Sequence, residues 1–278
     1  MAETTQLTLT GEGQVRQLVL NRPERHNAQT PVMWAELAAA GRELSSDPEV
    51  RCVVISGAGG SFSSGIDLDE IRRPAGFIRR LAAHPAGDPD PMLADIETAQ
   101  DAFRWIPRAP FLVIGAVTGV ALGAGCQLAL ACDIRIVATN ARLALREARY
   151  GLIPDMGATA CLPRLVGRDK ALDLILTGRE LSGAQAVDLG LALSAHADAD
   201  VAGAVNDYAA QIAAMPRSAI SYAKAAVDAP DPGASLRLAA LGQAACIRSG
   251  DAPRRVTDQS PPIVRPSAAP RESAVVVG

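Results

Sequence analysis

The chain alternates between short runs of consecutive apolar residues and longer stretches in which apolar positions recur three or four residues apart. Residues 15–20 (VRQLVL), 52–55 (CVVI), 111–117 (FLVIGAV) and 134–138 (IRIVA) are of the first kind and rich in β-branched side chains. Such runs predict strands buried on both faces, the pattern of a largely parallel sheet. Elsewhere the period lengthens and helices are expected. Thr30 before Pro31 reads as an N-cap with proline in the first turn, and Trp34, Leu37 and Leu44 then share one face. A helix is expected over Asp169 to Thr177, stopped by Gly178, and a short capped one over Ser182 to Leu189, ahead of Gly190. Ala199 to Met215, Ser218 to Val227 and Ala234 to Ile247 make the C-terminal third helical. Strands alternating with helices give an α/β fold class. Two segments lack a period: RRPAGFIRRLAAHPAGDPDP, residues 72–91, which reads as a loop, and the Pro-, Ser- and Ala-rich stretch from Gln259 onward, which reads as a mobile tail.

Phe111 to Cys132 holds no charged residue and is long enough to span a bilayer, with Gly115, Gly119 and Gly123 in G-x-x-x-G spacing. It also contains Gln127, opens on a β-rich segment and ends against Asp133. A buried strand, a glycine turn and a buried helix account for it better, and no membrane association is expected. The rest of the composition agrees. Of 278 residues 49% are apolar, enough for a sizeable core, and the net charge of −3 argues against nucleic-acid binding. Cys52, Cys126, Cys132, Cys161 and Cys246 are scattered among apolar neighbours without metal-binding spacing and read as reduced core residues. The N-terminus MAETTQLTLT lacks a signal-peptide pattern, so a cytoplasmic location is expected.

Several chemistries are disfavoured by pattern. Gly57-Ala58-Gly59-Gly60 fails the dinucleotide fingerprint, because Phe62 stands at the last glycine position. Neither a phosphate loop nor a G-x-S-x-G nucleophile elbow is present. His26, His84 and His196 have no mutual spacing suited to a metal or a triad and read as surface or loop residues.

Four blocks remain: NRPERHNA at 21–28, SFSSGIDL at 61–68, GVALGAGCQLALACDIRIVA at 119–138 and REARYGLIPDMGA at 146–158. In order and spacing they resemble the crotonase (enoyl-CoA hydratase/isomerase) superfamily over roughly residues 10–230. The glycines have a physical reading of their own. An enolate concentrates charge on one oxygen, and two backbone N–H groups fixed in a dry site can stabilise it. Gly65 permits a turn that exposes the amide of Ile66, while Gly123 and Gly125 flank Ala124 at a helix start, where amides are unpaired.

The resemblance implies a spiral of repeated ββα units over residues 1–197, a helical oligomerisation region over 198–258 and a tail over 259–278. It further implies a homotrimer or hexamer acting on an acyl-CoA thioester, with coenzyme A part of the substrate, no separate cofactor and no metal. The amides of Ile66 and Ala124 become the oxyanion hole, and Glu147 the acid/base. Family hydratases carry a second glutamate where this chain has Gln127. By composition alone, Glu147 between Arg146 and Arg149 would be a solvated ion-pair partner. Asp155 is open to two readings, a second acid as in the dienoyl-CoA isomerase branch or a turn or N-cap residue after Pro154. Arg22, Arg25, Ala28, Ser63 and Asp67 are expected around the coenzyme, Asp67 chiefly as an anchor of the oxyanion loop. Lys224 matches a family lysine, Arg254 and Arg255 are minor candidates for the coenzyme, and the 72–91 loop is expected beside the site. The leading reading is an enoyl-CoA isomerase type, with a hydratase or a non-catalytic acyl-CoA-binding protein as alternatives.

Overall fold

A computed structural model describes residues 5–87 and 89–250; the expected tail and Arg254 and Arg255 lie outside the described residues. The chain opens with an antiparallel pair, β1 (Leu7–Thr10) and β2 (Val15–Leu20), and then α1 (Pro31–Ser46). The Thr30 hydroxyl accepts from the Met33 amide, Pro31 occupies the first turn, and Trp34, Leu37 and Leu44 are buried. β3 (Cys52–Gly57) pairs parallel to β2. Between Arg72 and Pro91 the expected loop is interrupted: α2 (Leu68–Arg72) is followed by α3 (Phe77–Ala82) and then by α4 (Pro91–Arg104). Phe77 packs edge-on against Trp34, with ring centroids 5.1 Å apart. So short a helix is held by tertiary packing rather than by propensity.

The apolar stretch from Phe111 folds as strand, turn and helix: β4 (Leu112–Val117), β5 (Val120–Leu122) and α5 (Ala124–Ala131). Among the described residues no helix is long and apolar enough to cross a membrane. The pattern repeats with β6 (Ile134–Ala138) and β7 (Arg142–Ala144), then α6 (Ala158–Val166) and α7 (Arg168–Thr177). β8 (Leu181–Ser182), α8 (Gly183–Asp188) with a Ser182–Gln185 capping box, and β9 (Ser194–His196) complete it. The strands form a six-stranded sheet, β1-β2-β3-β4-β6-β9, and a three-stranded sheet, β5-β7-β8, so that β4 and β5, β6 and β7, and β9 and β8 each divide between the two, while β1 to β3 belong to the larger alone. His196, expected at the surface or in a loop, lies half-buried in β9.

The final helices are α9 (Val201–Ala213), α10 (Arg217–Val227) and α11 (Pro232–Arg248). α9 lies on the large sheet through Val201, Val205 and Ala209, whereas α10 packs on α11, where Gly242 leaves room for Tyr222. Lys224 ties this hairpin to the body. Its Nζ lies 2.8 Å from the Asp133 carboxylate and donates to the carbonyls of Ile106 and Phe111, so its role here is structural.

Candidate active site

The helix α5 is aimed by both of its ends. At its C-terminus the buried guanidinium of Arg135 donates to the carbonyls of Ala129, Leu130 and Cys132, and also to Leu191. At its N-terminus Gly123 has φ 51° and ψ −124°, a backbone that side chains rarely adopt, and α5 begins at Ala124. Opposite lies the 63–67 loop. Gly65 has φ +93°, and a Cβ there would stand 2.5 Å from the Leu122 carbonyl oxygen and 3.3 Å from the Ala124 nitrogen. Only glycine lets the two segments approach so closely.

Ile66 bridges to Gln29 through its neighbours: the Gln29 amide donates to Gly65, and the Asp67 amide to Gln29. The amide of Ile66 therefore points away from that bridge, and among the described residues neither it nor the Ala124 amide has an acceptor. Both residues line a cavity of about 900 Å³ with Trp34, Phe77, Leu81 and Met92 on its apolar side. Part of the expected 72–91 loop is thus beside the site, as the helix α3.

Glu147 opens a 3-10 turn, Glu147–Tyr150, on the same cavity. Its neighbours do not neutralise it: Arg146 pairs with Glu180, and Arg149 donates to the Gly178 carbonyl. Instead Gln127 donates to Glu147 Oε1 at 2.8 Å, while Oε2 is buried without a partner. Burial raises the Glu147 pKa above the ordinary carboxylate range; hydrogen bonds from its own amide and Gln127 oppose the rise, and the charge of Asp155 adds to it. The Gln127 side chain, almost fully buried, has its other end committed as well, since its carbonyl accepts from the Met156 amide at 2.9 Å. Gln127 therefore holds a carboxyl in place.

Asp155 lines the cavity, and desolvation raises its pKa, a rise limited by the exposure of the residue as a whole. It caps no helix, for α6 follows Gly157 without a side-chain cap. The residues expected around a coenzyme divide. Arg25 lies exposed at the rim and Ala28 lines the cavity. Ser63 is fully buried, its hydroxyl donating to the Asn27 carbonyl, which leaves it no access to a ligand. Arg22 lies outside the lining, donating to the Ala28 carbonyl and pairing with Asp67 at 3.0 Å. Asp67 also caps α2 by accepting from the Asp69 amide; although desolvation opposes them, these bonds hold its pKa below the usual carboxylate value. Sequence reasoning missed Asn27, buried with φ 54°, which donates to the carbonyls of Ala58 and Ser61 and so joins the first two motif blocks. It also missed Met156, a single apolar residue in a turn, for which no local signal existed.

Two unpaired amides facing one cavity can stabilise a developing oxyanion, and a desolvated carboxyl with a free oxygen can move a proton beside it. The chain is also similar to known proteins. The model of the enoyl-CoA hydratase/isomerase family matches residues 10–240. The 1,2-epoxyphenylacetyl-CoA isomerase of Escherichia coli is 34% identical over 78% of this chain and 79% of its own. The mitochondrial Delta(3,5)-Delta(2,4)-dienoyl-CoA isomerase of Rattus norvegicus is 35% identical over 72% of this chain and 60% of its own. A solved structure of a Thermobifida fusca YX protein, classed as an enoyl-CoA hydratase and in complex with CoA, superposes with a TM-score of 0.78 at 39% identity. It covers 88% of this chain and 94% of that one. On its motifs, its fold and these likenesses, the chain belongs to the enoyl-CoA hydratase/isomerase family.

Proposed function

We propose that the protein isomerises enoyl-CoA thioesters, shifting a double bond between the β,γ and α,β positions. The thioester oxygen binds between the amides of Ile66 and Ala124, Glu147 removes a proton from the α-carbon, and the two amides stabilise the resulting dienolate. Returning that proton at the γ-carbon completes the shift, so one carboxyl is sufficient. Arg25 and Ala28 face the coenzyme portion, which belongs to the substrate. The helical region α9 to α11 assembles three copies, or two such trimers.

The observation that carries this reading is the hydrogen bonding of Gln127. Hydration of a double bond needs a group that accepts a proton from water while another supplies the α-carbon. Gln127 cannot accept that proton, and both ends of its amide are engaged by Met156 and Glu147. Asp155 faces Glu147 closely enough to influence its charge and could relay the proton towards more distant carbons.

The test compares a 3-enoyl-CoA with crotonyl-CoA by mass spectrometry in deuterated water. The 3-enoyl-CoA is expected to isomerise faster than crotonyl-CoA hydrates. Glu147→Gln should lower isomerisation by about 10²- to 10⁴-fold, and Gln127→Glu should raise hydration. Strong crotonyl-CoA hydration lost in Glu147→Gln would make the protein a hydratase. Tight binding of thioesters with no exchange at the α- or γ-carbon would make it a binding protein.

A further inference from the structure

A second cavity, about 740 Å³, lies next to the first, and the two have only Asp155 and Met156 in common among their lining residues. Its walls are largely apolar, with Phe103, Leu130, Ile134, Leu165, Ile212 and Ile220. The charges deeper within it are partnered, Asp133 with Lys224 and the Val113 amide, Arg135 with four carbonyls, Arg104 with Asp101 and Arg164 with Asp228, and the Asp155 carboxyl lies only at the boundary shared with the first cavity. What remains suits a hydrocarbon, and the volume is in the range of small-molecule pockets.

The partition is thin and anchored in an unusual way. Its backbone is pinned on both sides, for the Asp155 carbonyl accepts from the Gln100 side chain and the Met156 amide donates to Gln127. The Met156 side chain is buried but unbranched, with rotatable bonds that let it turn aside while its backbone stays fixed. Gly157, which follows with φ +108°, adds no side chain to the wall.

We infer that Met156 is a specificity-determining partition: turned aside, it joins the two cavities into one apolar channel that takes the tail of a long acyl group. This rests on the acyl-CoA reading above. Because Met156 hangs from the same amide that holds Glu147, a tail that leaves its backbone in place leaves the carboxyl in place too. Chain length is then sensed by one side chain, with no rearrangement of the reacting groups.

The test is the ratio of kcat/KM for trans-3-dodecenoyl-CoA to that for trans-3-hexenoyl-CoA. Met156→Ala should raise the ratio at least about tenfold and Met156→Phe should lower it, each methylene in such a pocket being worth about tenfold or more. Ala160→Phe, which fills the second cavity from α6, should cancel the gain of Met156→Ala without affecting the shorter substrate. Met156→Phe keeps the residue apolar and serves where the alanine variant fails to fold. An unchanged ratio in a folded Met156 variant that isomerises the shorter substrate overturns the partition and leaves the acyl-CoA reading standing. Absence of binding by both thioesters to the wild-type protein overturns the reading itself.

Discussion

Glu147 is held in two states of unequal comfort. Its Oε1 is hydrogen-bonded, its Oε2 is not, and burial disfavours its charge, so the carboxylate form is less well stabilised than that of an ordinary carboxyl. As the base that starts the proposed reaction, it must be ionised. Activity should therefore fall as the pH drops through a value above that of an ordinary carboxyl. In Gln127→Met, a substitution of similar shape that cannot donate, one of the bonds lowering that pKa is lost. The acid limb should move to higher pH and kcat should fall by about tenfold or more with KM little changed. An acid limb that stays in place would show that Gln127 only fills space. Stability has the opposite dependence. A carboxyl whose folded pKa is raised weakens the fold increasingly as pH rises above its unfolded value, and not below it. Glu147→Gln should accordingly melt above the wild type at pH 8, and the difference should close by about pH 4.

At the scale of elements, the site depends on two segments meeting: the 63–67 loop and the N-terminus of α5. Arg22 and Asp67 fix the first of these, as a largely buried pair, with side chains 17% and 9% exposed. Removing the arginine leaves a carboxylate in a poorly solvated place, so Arg22→Met should cost about 3 kcal/mol or more in urea unfolding. The folded pKa of Asp67 is depressed, so the charge-dependent stability it contributes is present above the unfolded value and lost as pH falls through the folded one. The stability gap between wild type and variant should then narrow in acid. A gap independent of pH would assign the loss to the Ala28 contact instead. Much at this scale was legible in the sequence. Thr30–Pro31 and Ser182 are local capping signals, and the helices beside them begin where those residues say. The glycines and Glu147 were legible through motif spacing. α3 and strands such as β8, two residues long, were not, because only packing and pairing hold them. Ser63 was misread for a related reason. A hydroxyl carries no sign of whether it faces a ligand or a neighbouring carbonyl.

Across the whole molecule, the proposed trimer has to use surface that the single chain leaves open. Of the apolar residues expected to form an interface, Ile220 is buried and Ile212 packs against the core, so both are engaged within the subunit. Val227, Leu236 and Leu241 are exposed, and Leu236 keeps 73% of its surface open to solvent. Large apolar side chains left open on one hairpin suit burial against a different patch of a neighbouring copy, the kind of contact that closes a ring of three. Light scattering at micromolar concentration should give the mass of three or six chains, and Leu236→Glu should shift it towards one. A monomeric wild-type mass would exclude the assembly. Desolvation pushes the buried thiols of Cys52 and Cys132 up to about 12, so both are protonated at neutral pH.

The socket around Gln127 has a bearing on ancestry as well as on chemistry. Its carbonyl contact, the Met156 amide, would serve a carboxylate oxygen equally well, and the other oxygen would meet Glu147 Oε1 as a pair of acids sharing a proton, so the backbone around it needs no alteration to receive glutamate. Glutamine and glutamate codons differ by a single base. Under the proposed mechanism, the distance between moving a double bond and adding water across it is then one point mutation within an unchanged scaffold, and lineages could cross it in either direction without passing through an unfolded ancestor.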